Sequence, residues 1–190
     1  MSYLRGAPEL DEGTFEPFAQ IRKDYGFVPN FWKAQTSRTD LIEAQMVFVK
    51  GILIEEKALS RRQKEYIFLV CSAANLSTYC VTAHCEIIRM LGISGPHPEE
   101  VAIDHENADL NEQDRALLDY AKKLTLKPMK AGADDIERLR GAGFTEDQIL
   151  ETVLMVGMAK WANTVAFGLG TVPDFHNDKL KFPGAAGPGA

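Results

Sequence analysis

The chain has 190 residues, of which 45% are hydrophobic and 25% charged, and its net charge at pH 7 is -6. This length can build one globular domain with a full hydrophobic core, and the acidic balance excludes a general nucleic-acid binder, which needs clustered lysine and arginine to neutralise phosphates. No apolar run of about 18 residues is free of charge, so we predict no membrane span. The first residues lack the apolar core of a signal peptide, and we therefore expect a cytoplasmic protein with reduced cysteines.

Apolar residues recur at helical spacing along most of the chain, which predicts an all-α fold. We expect a first helix over about 15–25 that ends at Gly26, and then a short aromatic helix after Pro29. A longer helix is predicted over about 41–56. Its expected buried residues are Met46, Val47, Val49, Ile52 and Leu53.

Ser60 begins the central segment of the sequence. In "SRRQ", Gln63 stands at the third helical position, where its side chain can return to the Ser60 amide as a capping box. The following "EYIFLVCSAAN" is apolar nearly all round, which is typical of a helix in the middle of a protein. Ser77 is then predicted to cap a new helix from Thr78 to Leu91, of which Cys80 is the third residue.

The C-terminal half continues as capped helices. Shorter helices are predicted at about 98–103, 112–124 and 134–140. Thr145 and Gln148 repeat the capping box at the start of a last long helix that reaches Phe167. From Thr171 onward the sequence is rich in Pro and Gly, which predicts an extended arm. We expect one domain over residues 1–182 and a flexible tail over 183–190.

Two segments resemble each other within the chain. "LSRRQKEYIFLVCSAANLSTYC" and "FTEDQILETVLMVGMAKWANTV" share a capped start, a central apolar run and a break near an Asn. Two helices built alike can pack about a pseudo-twofold axis, so an internal repeat is a possible feature of the fold.

Cys80 and His84 are four residues apart and share one face of the predicted helix, so sulfur and imidazole can approach each other. The imidazole and the positive end of the helix both favour the reactive thiolate, which predicts a lowered pKa for Cys80. Alternatively, both side chains simply fill the core. A metal site is a third interpretation, in which His97, His105 or Glu65 would complete the ligands, although their spacing does not indicate one.

Of the other two cysteines, Cys71 is predicted to be unreactive, and Cys85 is predicted to be unable to form a disulfide with Cys80. Cys71 lies in an apolar run and should be inert packing. Cys85 is about 140° from Cys80 around the helix axis, so these two cannot form a disulfide unless the helix unwinds. A thiol that resolves oxidised Cys80 should therefore come from outside this helix.

The stretch "EYIFLVCSAANLSTYCVTAH" resembles the core of the AhpD-like alkylhydroperoxidase and carboxymuconolactone decarboxylase family, and the whole chain is most similar to its peroxidase-related branch. The family pattern is a glutamate, a C-x-x-C motif that begins twelve residues later, and a histidine four residues after the second cysteine. Glu65, Ser77, Cys80 and His84 occupy these positions, with Tyr79 as a flanking match. The resemblance implies an AhpD-like helical domain in a homo-oligomer, which can be a dimer, trimer or hexamer.

The resemblance also implies a chemistry. In thiol-active members the second cysteine attacks a hydroperoxide, the first resolves the product as a disulfide, and the glutamate and histidine relay protons. Cys80 would then be the peroxidatic thiol, His84 its acid/base partner and Glu65 the relay, with Ser77 and Tyr79 in support. Because a serine cannot resolve a sulfenic acid, an external thiol would have to reduce it. The implied partners are a small hydroperoxide and this thiol, without a metal or cofactor.

Two other functions stay open at this point. One is a decarboxylase-like activity on a small lactone or acid, for which the family does not need the cysteine. The other is a helical oligomer without catalysis that senses oxidants through Cys80 or binds a small apolar ligand. Without the resemblance, Glu65 is interpreted as a solvated carboxylate in the first turn of its helix. Trp161 and Asn163 are candidates to line the same cavity, although an interior helix also explains them.

Overall fold

The computed structural model describes residues 2–4, 9–10, 13–177 and 180, and it contains helices and loops with no strand in this part of the chain. The α-helices are α1 (Glu16–Tyr25), α2 (Asn30–Lys33), α3 (Thr39–Val49), α4 (Arg61–Ala74), α5 (Thr78–Met90), α6 (Pro98–Asp104), α7 (Glu112–Leu126), α8 (Ala133–Gly141) and α9 (Glu146–Leu169). Short 3-10 helices lie at Thr36–Arg38 and Pro128–Lys130, and a π-helix at Lys50–Ile54 continues α3. The predicted all-α fold is confirmed.

Helix α4 is the centre of the fold, as its apolar sequence predicts. It contacts α5, α6, α7 and α9, and its nine consecutive residues from Lys64 to Ser72 are buried. The predicted capping box is present, because the Ser60 hydroxyl accepts from the Gln63 amide and the Gln63 side chain accepts from the Ser60 amide. A polar residue in this helix, such as Glu65, is therefore held inside the protein.

Helix α9 is the second long core element. It begins with the predicted capping box at Thr145 and Gln148 and packs against α4, α5 and α7. In the described part of the chain it is the one helix long and apolar enough to cross a membrane, and 44% of its most apolar window is buried inside the protein. Its Glu151 pairs at 3.0 Å with the fully buried ammonium group of Lys64. These contacts are those of a core helix.

The two similar segments lie side by side. Both α4 and α9 begin with a capping box, and the Asn75 side chain donates to the Asn163 side chain at 2.8 Å. Asn75 ends α4, whereas α9 continues past Asn163 to Leu169, so the break expected in the second segment is absent. The pseudo-twofold relationship stays a prediction.

The prediction for residues 41–56 is partly wrong. Helix α3 ends at Val49, and of the five residues expected in the core only Leu53 is fully buried, while Val47 is 75% exposed. The physical reason is that α3 contacts α1 through one face, on which Ile42 is buried, whereas Val47 and other apolar residues on its remaining surface stay exposed.

Two hydrophobic clusters make up the interior. The larger one surrounds α4, α5, α7 and α9, and the smaller one joins α1 to α3 through Phe18, Ile21, Val28 and Ile42. A cavity of about 620 Å³ lies where the two clusters meet. The arm over 171–177 is not helical, as expected. The predicted tail at 183–190 lies outside the described residues, and the single domain stays a prediction.

Candidate active site

Glu65 and His84 meet between α4 and α5. Nδ1 of His84 lies 2.6 Å from Oε2 of Glu65, which is fully buried. The Phe68 ring, one turn after Glu65 on α4, stacks on the imidazole with 3.7 Å between centroids. The imidazole is therefore fixed at one nitrogen and along one face.

Arg61 completes this arrangement. Its Nε donates to Oε1 of Glu65 at 2.7 Å, and the Tyr25 side chain of α1 lies near its guanidinium. Burial alone would raise the pKa of Glu65, but the adjacent His84 and Arg61 outweigh burial and hold that pKa below its usual value. The solvated interpretation of Glu65 is wrong, because its helix is central. Arg61 was not predicted as a site residue from the sequence, although its position four residues before Glu65 is typical of an ion pair on one face of a helix.

The ionised Glu65 fixes the tautomer of His84. A carboxylate can only accept hydrogen bonds, so Nδ1 of His84 carries the proton in their shared bond. In the neutral imidazole the other nitrogen, Nε2, is then free of a proton and can act as a base. His84 lines the cavity, where such a base can serve a bound molecule.

Cys80 is the third residue of α5, as predicted, and lines the same cavity as His84. Only 3% of its surface is exposed. The side chains of Ser77 and Asn163 hydrogen-bond to its sulfur. Asn163 also donates to Ser72 at 2.9 Å, so a buried polar cluster holds the sulfur from the protein interior.

Two expectations about Cys80 are corrected by this environment. Burial raises the pKa of its thiol, and the hydrogen bonds from Ser77 and Asn163 only partly offset that effect, so the predicted lowering of the pKa is wrong. Ser77 occupies the N-cap position, but its side chain does not cap α5 and bonds to Cys80 instead. No hydrogen bond joins Cys80 to His84 among the described residues. The resting thiol is protonated and needs a base for reaction.

The comparisons with known proteins gave structural matches. No family model and no curated protein matches the chain. An uncharacterized peroxidase-related protein from Ralstonia eutropha JMP134 with an alkylhydroperoxidase AhpD core is 27% identical, with a TM-score of 0.82 over 94% of this chain and 93% of that one. An uncharacterized peroxidase-related protein from Silicibacter sp. TM1040 is also 27% identical, with a TM-score of 0.83 over 91% and 92% of the two chains. The chain is therefore similar to peroxidase-related proteins with an AhpD core, and its fold is AhpD-like.

A more distant match has a different activity. A variant of the debrominase Bmp8, solved in complex with 2,3,4-tribromopyrrole, is 19% identical to this AhpD-like protein, with a TM-score of 0.76 over 90% of this chain and 93% of that one. At this identity the likeness shows the fold alone. The chemistry of the AhpD-like protein must therefore be argued from its own residues.

Tyr79 anchors the C-terminal arm of the AhpD-like protein to the site. Its hydroxyl donates to Asp174 at 2.7 Å and accepts from the Phe31 amide at 3.0 Å. Asp174 also accepts from the Asn30 amide at the start of α2, and it lines the cavity. Burial, reinforced by the Asp174 carboxylate, raises the pKa of Tyr79, which therefore stays protonated at neutral pH. Asp174 was not predicted, since nothing local in its sequence marks the contact.

Cys71 and Cys85 are buried away from this chemistry. Neither lines the cavity, and all three cysteines are free. Burial raises the pKa of both thiols to about 12. Thr125 donates to the Cys71 sulfur at 3.1 Å. This environment agrees with the predicted inert packing of Cys71.

The residues suggested for a metal site do not converge on Cys80. Within the described part of the chain, the potential ligands whose donor atoms lie within 4.8 Å of one another are His105, Glu106 and Asp119. Nε2 of His105 is hydrogen-bonded to Oδ1 of Asp119 at 2.9 Å, and His97 is exposed. Glu65 is the one suggested ligand that contacts His84, and it does so through a hydrogen bond to the ring. Of the two residues suggested for the cavity wall, Trp161 lines it, whereas Asn163 contacts Cys80 from the interior.

Proposed function

We propose that this AhpD-like protein reduces hydroperoxides through Cys80 and that an external thiol restores the enzyme. The observation that carries the proposal is that Cys80 and His84 line one cavity, with His84 oriented by the ionised Glu65. A nucleophile, a base and a residue that orients the base are the parts that thiol catalysis requires.

In the oxidative half-reaction, His84 supplies the base that the buried thiol needs. Nε2 of His84 takes the thiol proton as the Cys80 sulfur attacks the terminal oxygen of the hydroperoxide. The S–O bond forms, the O–O bond breaks, and the departing alkoxide takes the proton from His84 and leaves as an alcohol. Glu65 stays ionised and stabilises the imidazolium between these two transfers. Thiol and hydroperoxide thus become sulfenic acid and alcohol.

In the reductive half-reaction, two external thiols act in turn. The first condenses with the sulfenic acid, which releases water and leaves a mixed disulfide on Cys80. The second attacks that disulfide, frees the Cys80 thiol and leaves as the external disulfide. Because Cys80 is 3% exposed, a small thiol that enters the cavity fits this step better than a cysteine on a protein surface. A reducing cytoplasm, the location expected from the sequence, supplies such thiols.

The proposal is tested by intact mass spectrometry after one equivalent of hydrogen peroxide, with a sulfenic-acid trap present. We expect one trap adduct in the wild type and in Cys85→Ser, and none in Cys80→Ser. Steady-state consumption of peroxide with dithiothreitol should show the same pattern, with turnover in the wild type and in Cys85→Ser and none in Cys80→Ser. Labelling spread over all three cysteines, or turnover that survives Cys80→Ser, would refute the mechanism. Lactone turnover that survives Cys80→Ser would favour the decarboxylase-like function instead.

We also propose that the protein assembles as a homo-oligomer, as the family resemblance implies. Apolar side chains on α3, on the π-helix and on one face of α9 are exposed in the single chain. They are Leu41, Val47, Phe48, Ile54, Leu150, Val153 and Leu154. Phe48 contacts Trp161 of α9, and the π-helix packs on α9, so the surface is continuous. A second copy that covers this surface would remove it from water.

A further inference from the structure

The cavity beside Cys80 has aromatic rings on several of its walls. Six of them come from α2, α4, α9, the loop after α1 and the C-terminal arm: Phe27, Phe31, Trp32, Phe68, Trp161 and Phe175. Elements distant in the sequence thus contribute rings to one cavity. Such convergence is characteristic of a ligand pocket, which is mostly apolar with a few placed polar groups.

The rings support one another in a fixed arrangement. Phe31 lies edge-to-face against Trp161, with 5.8 Å between centroids, and against Trp32, with 5.1 Å. Phe27 and Phe175 form another edge-to-face pair at 5.3 Å, which joins the C-terminal arm to the loop after α1. Rings held in this way lose little conformational entropy when a ligand binds. They offer a guest ring the edge-to-face and offset contacts that aromatic pairs prefer.

The charges around the cavity favour an uncharged guest. Apart from Cys80, His84 and the two tyrosines Tyr25 and Tyr79, its ionisable lining residues are Asp24, Lys50 and Asp174. Asp24 and Lys50 are exposed, and the Asp174 carboxylate accepts hydrogen bonds from the Tyr79 hydroxyl and the Asn30 backbone amide. The described lining therefore holds no buried lysine or arginine that could compensate a carboxylate inside the cavity.

We propose that this cavity binds one planar aromatic ring and selects uncharged aryl-substituted hydroperoxides over small alkyl hydroperoxides. This inference rests on the proposed function, since it names the substrate class of the same site. The cavity, with a volume of about 620 Å³, can hold a monocyclic aryl group beside the peroxide. The ring lies against the aromatic walls while the terminal peroxide oxygen meets the Cys80 sulfur.

The matched substrates for the test are cumene hydroperoxide and tert-butyl hydroperoxide, which differ by a phenyl group in place of one methyl. The quantity measured is the second-order rate constant of Cys80 oxidation in a single turnover, followed by quenching and intact mass. Burial and ring contacts of the phenyl group predict a preference of roughly tenfold to a hundredfold for cumene hydroperoxide. Equal rate constants for the two hydroperoxides would overturn the proposal.

Two variants on α9 locate the preference. Trp161→Leu removes a cavity ring and should reduce the preference to about threefold or less. Phe167→Leu removes an aromatic residue from the same helix that is 53% exposed and does not line the cavity, so it should keep the wild-type preference. The rate constant with hydrogen peroxide controls for the integrity of the thiol in each variant. A preference unchanged in Trp161→Leu, or lost equally in both variants, would contradict the assignment.

Ring binding can also be measured without chemistry, which separates this proposal from the proposed function. Cys80→Ser is titrated with 2-phenyl-2-propanol, the alcohol product, and with tert-butanol, and binding is followed by tryptophan fluorescence. We expect saturable binding of the aryl alcohol at a concentration at least about tenfold lower than that of tert-butanol. Aryl binding without Cys80 oxidation by any hydroperoxide would refute the proposed function alone. Absence of aryl binding would refute the substrate class, whatever the thiol does.

Discussion

Oε2 of Glu65 on α4 and Nδ1 of His84 on α5 are 2.6 Å apart, although the two residues lie nineteen positions apart in the sequence. Arg61 holds the other oxygen of the same carboxylate at 2.7 Å. The buried carboxylate thus lies between a permanent cation and an imidazole, and this position governs both the tautomer of His84 and the acid stability of the protein.

The first prediction concerns acid stability. Because the pKa of Glu65 is lower in the folded protein than its usual value of 4.5, its contribution is fully present above pH 4.5. It is lost as the pH falls through the lower folded value. Glu65→Gln should lower the free energy of unfolding at pH 7 by about 3–5 kcal/mol, because Arg61 keeps a buried charge without its partner. The difference from wild type should shrink below pH 4.5 in urea unfolding.

The control for this measurement is Glu100→Gln, which changes an exposed carboxylate on α6. It should follow the wild-type stability curve within about 0.5 kcal/mol. A stability difference for Glu65→Gln that stays constant from pH 7 to pH 3 would contradict the ionised state assigned to Glu65.

The second prediction concerns the base. His84→Gln removes the group that accepts the Cys80 proton, and the rate constant of Cys80 oxidation should fall by about a hundredfold or more. Stopped-flow measurements with excess hydrogen peroxide give this value directly. His97→Gln replaces an exposed histidine and should leave it unchanged. If both variants react at the wild-type rate, His84 is not the base.

The third prediction concerns the pKa of the reactive thiol. Burial raises the pKa of Cys80 above its usual value of 9.0, so alkylation by iodoacetamide should accelerate about tenfold per pH unit between pH 7 and 9. Peptide mass spectrometry assigns the label. Cys71 and Cys85, with pKa values raised to about 12 by burial, should stay unlabelled over the same time. If the alkylation rate of Cys80 rises with pH and already reaches its plateau before pH 8, the thiol has a low pKa, as first inferred from the sequence.

Local sequence signals predicted much of the fold and failed at specific long-range contacts. The capping boxes at Ser60 and Thr145 and the helical face shared by Cys80 and His84 depend on neighbours within one turn, and the structure contains them. The raised pKa of Cys80 depends instead on how much protein surrounds the sulfur. Asp174 joins the site from 95 residues beyond Tyr79, and spacing carries no information about such a contact. The resemblance identified Glu65, because the motif reflects the assembled site.

The fourth prediction concerns the C-terminal arm. Asp174→Ala removes the acceptor shared by the Tyr79 hydroxyl and the Asn30 amide, which leaves two buried or half-buried donors without their partner. We expect a loss of about 1–3 kcal/mol in stability and faster amide hydrogen exchange at residues 30–31 and 172–177. Asp40→Ala, which breaks an exposed ion pair with Arg38, is the control and should change neither. Unchanged exchange in Asp174→Ala would mean that other contacts hold the arm.

The fifth prediction concerns the exposed apolar surface of α3 and α9. If a second copy covers it, light scattering should give the wild type a mass that is a multiple of the 21.1 kDa chain. Val47 is 75% exposed and Val153 is 38% exposed on this surface. Val47→Glu combined with Val153→Glu should shift the protein toward the monomer, because a charge buried at an interface without a partner is costly. Ile103→Glu is the matched control, since Ile103 is 61% exposed on α6, away from this surface. A monomeric wild type, or an equal shift in the control, would refute this interface.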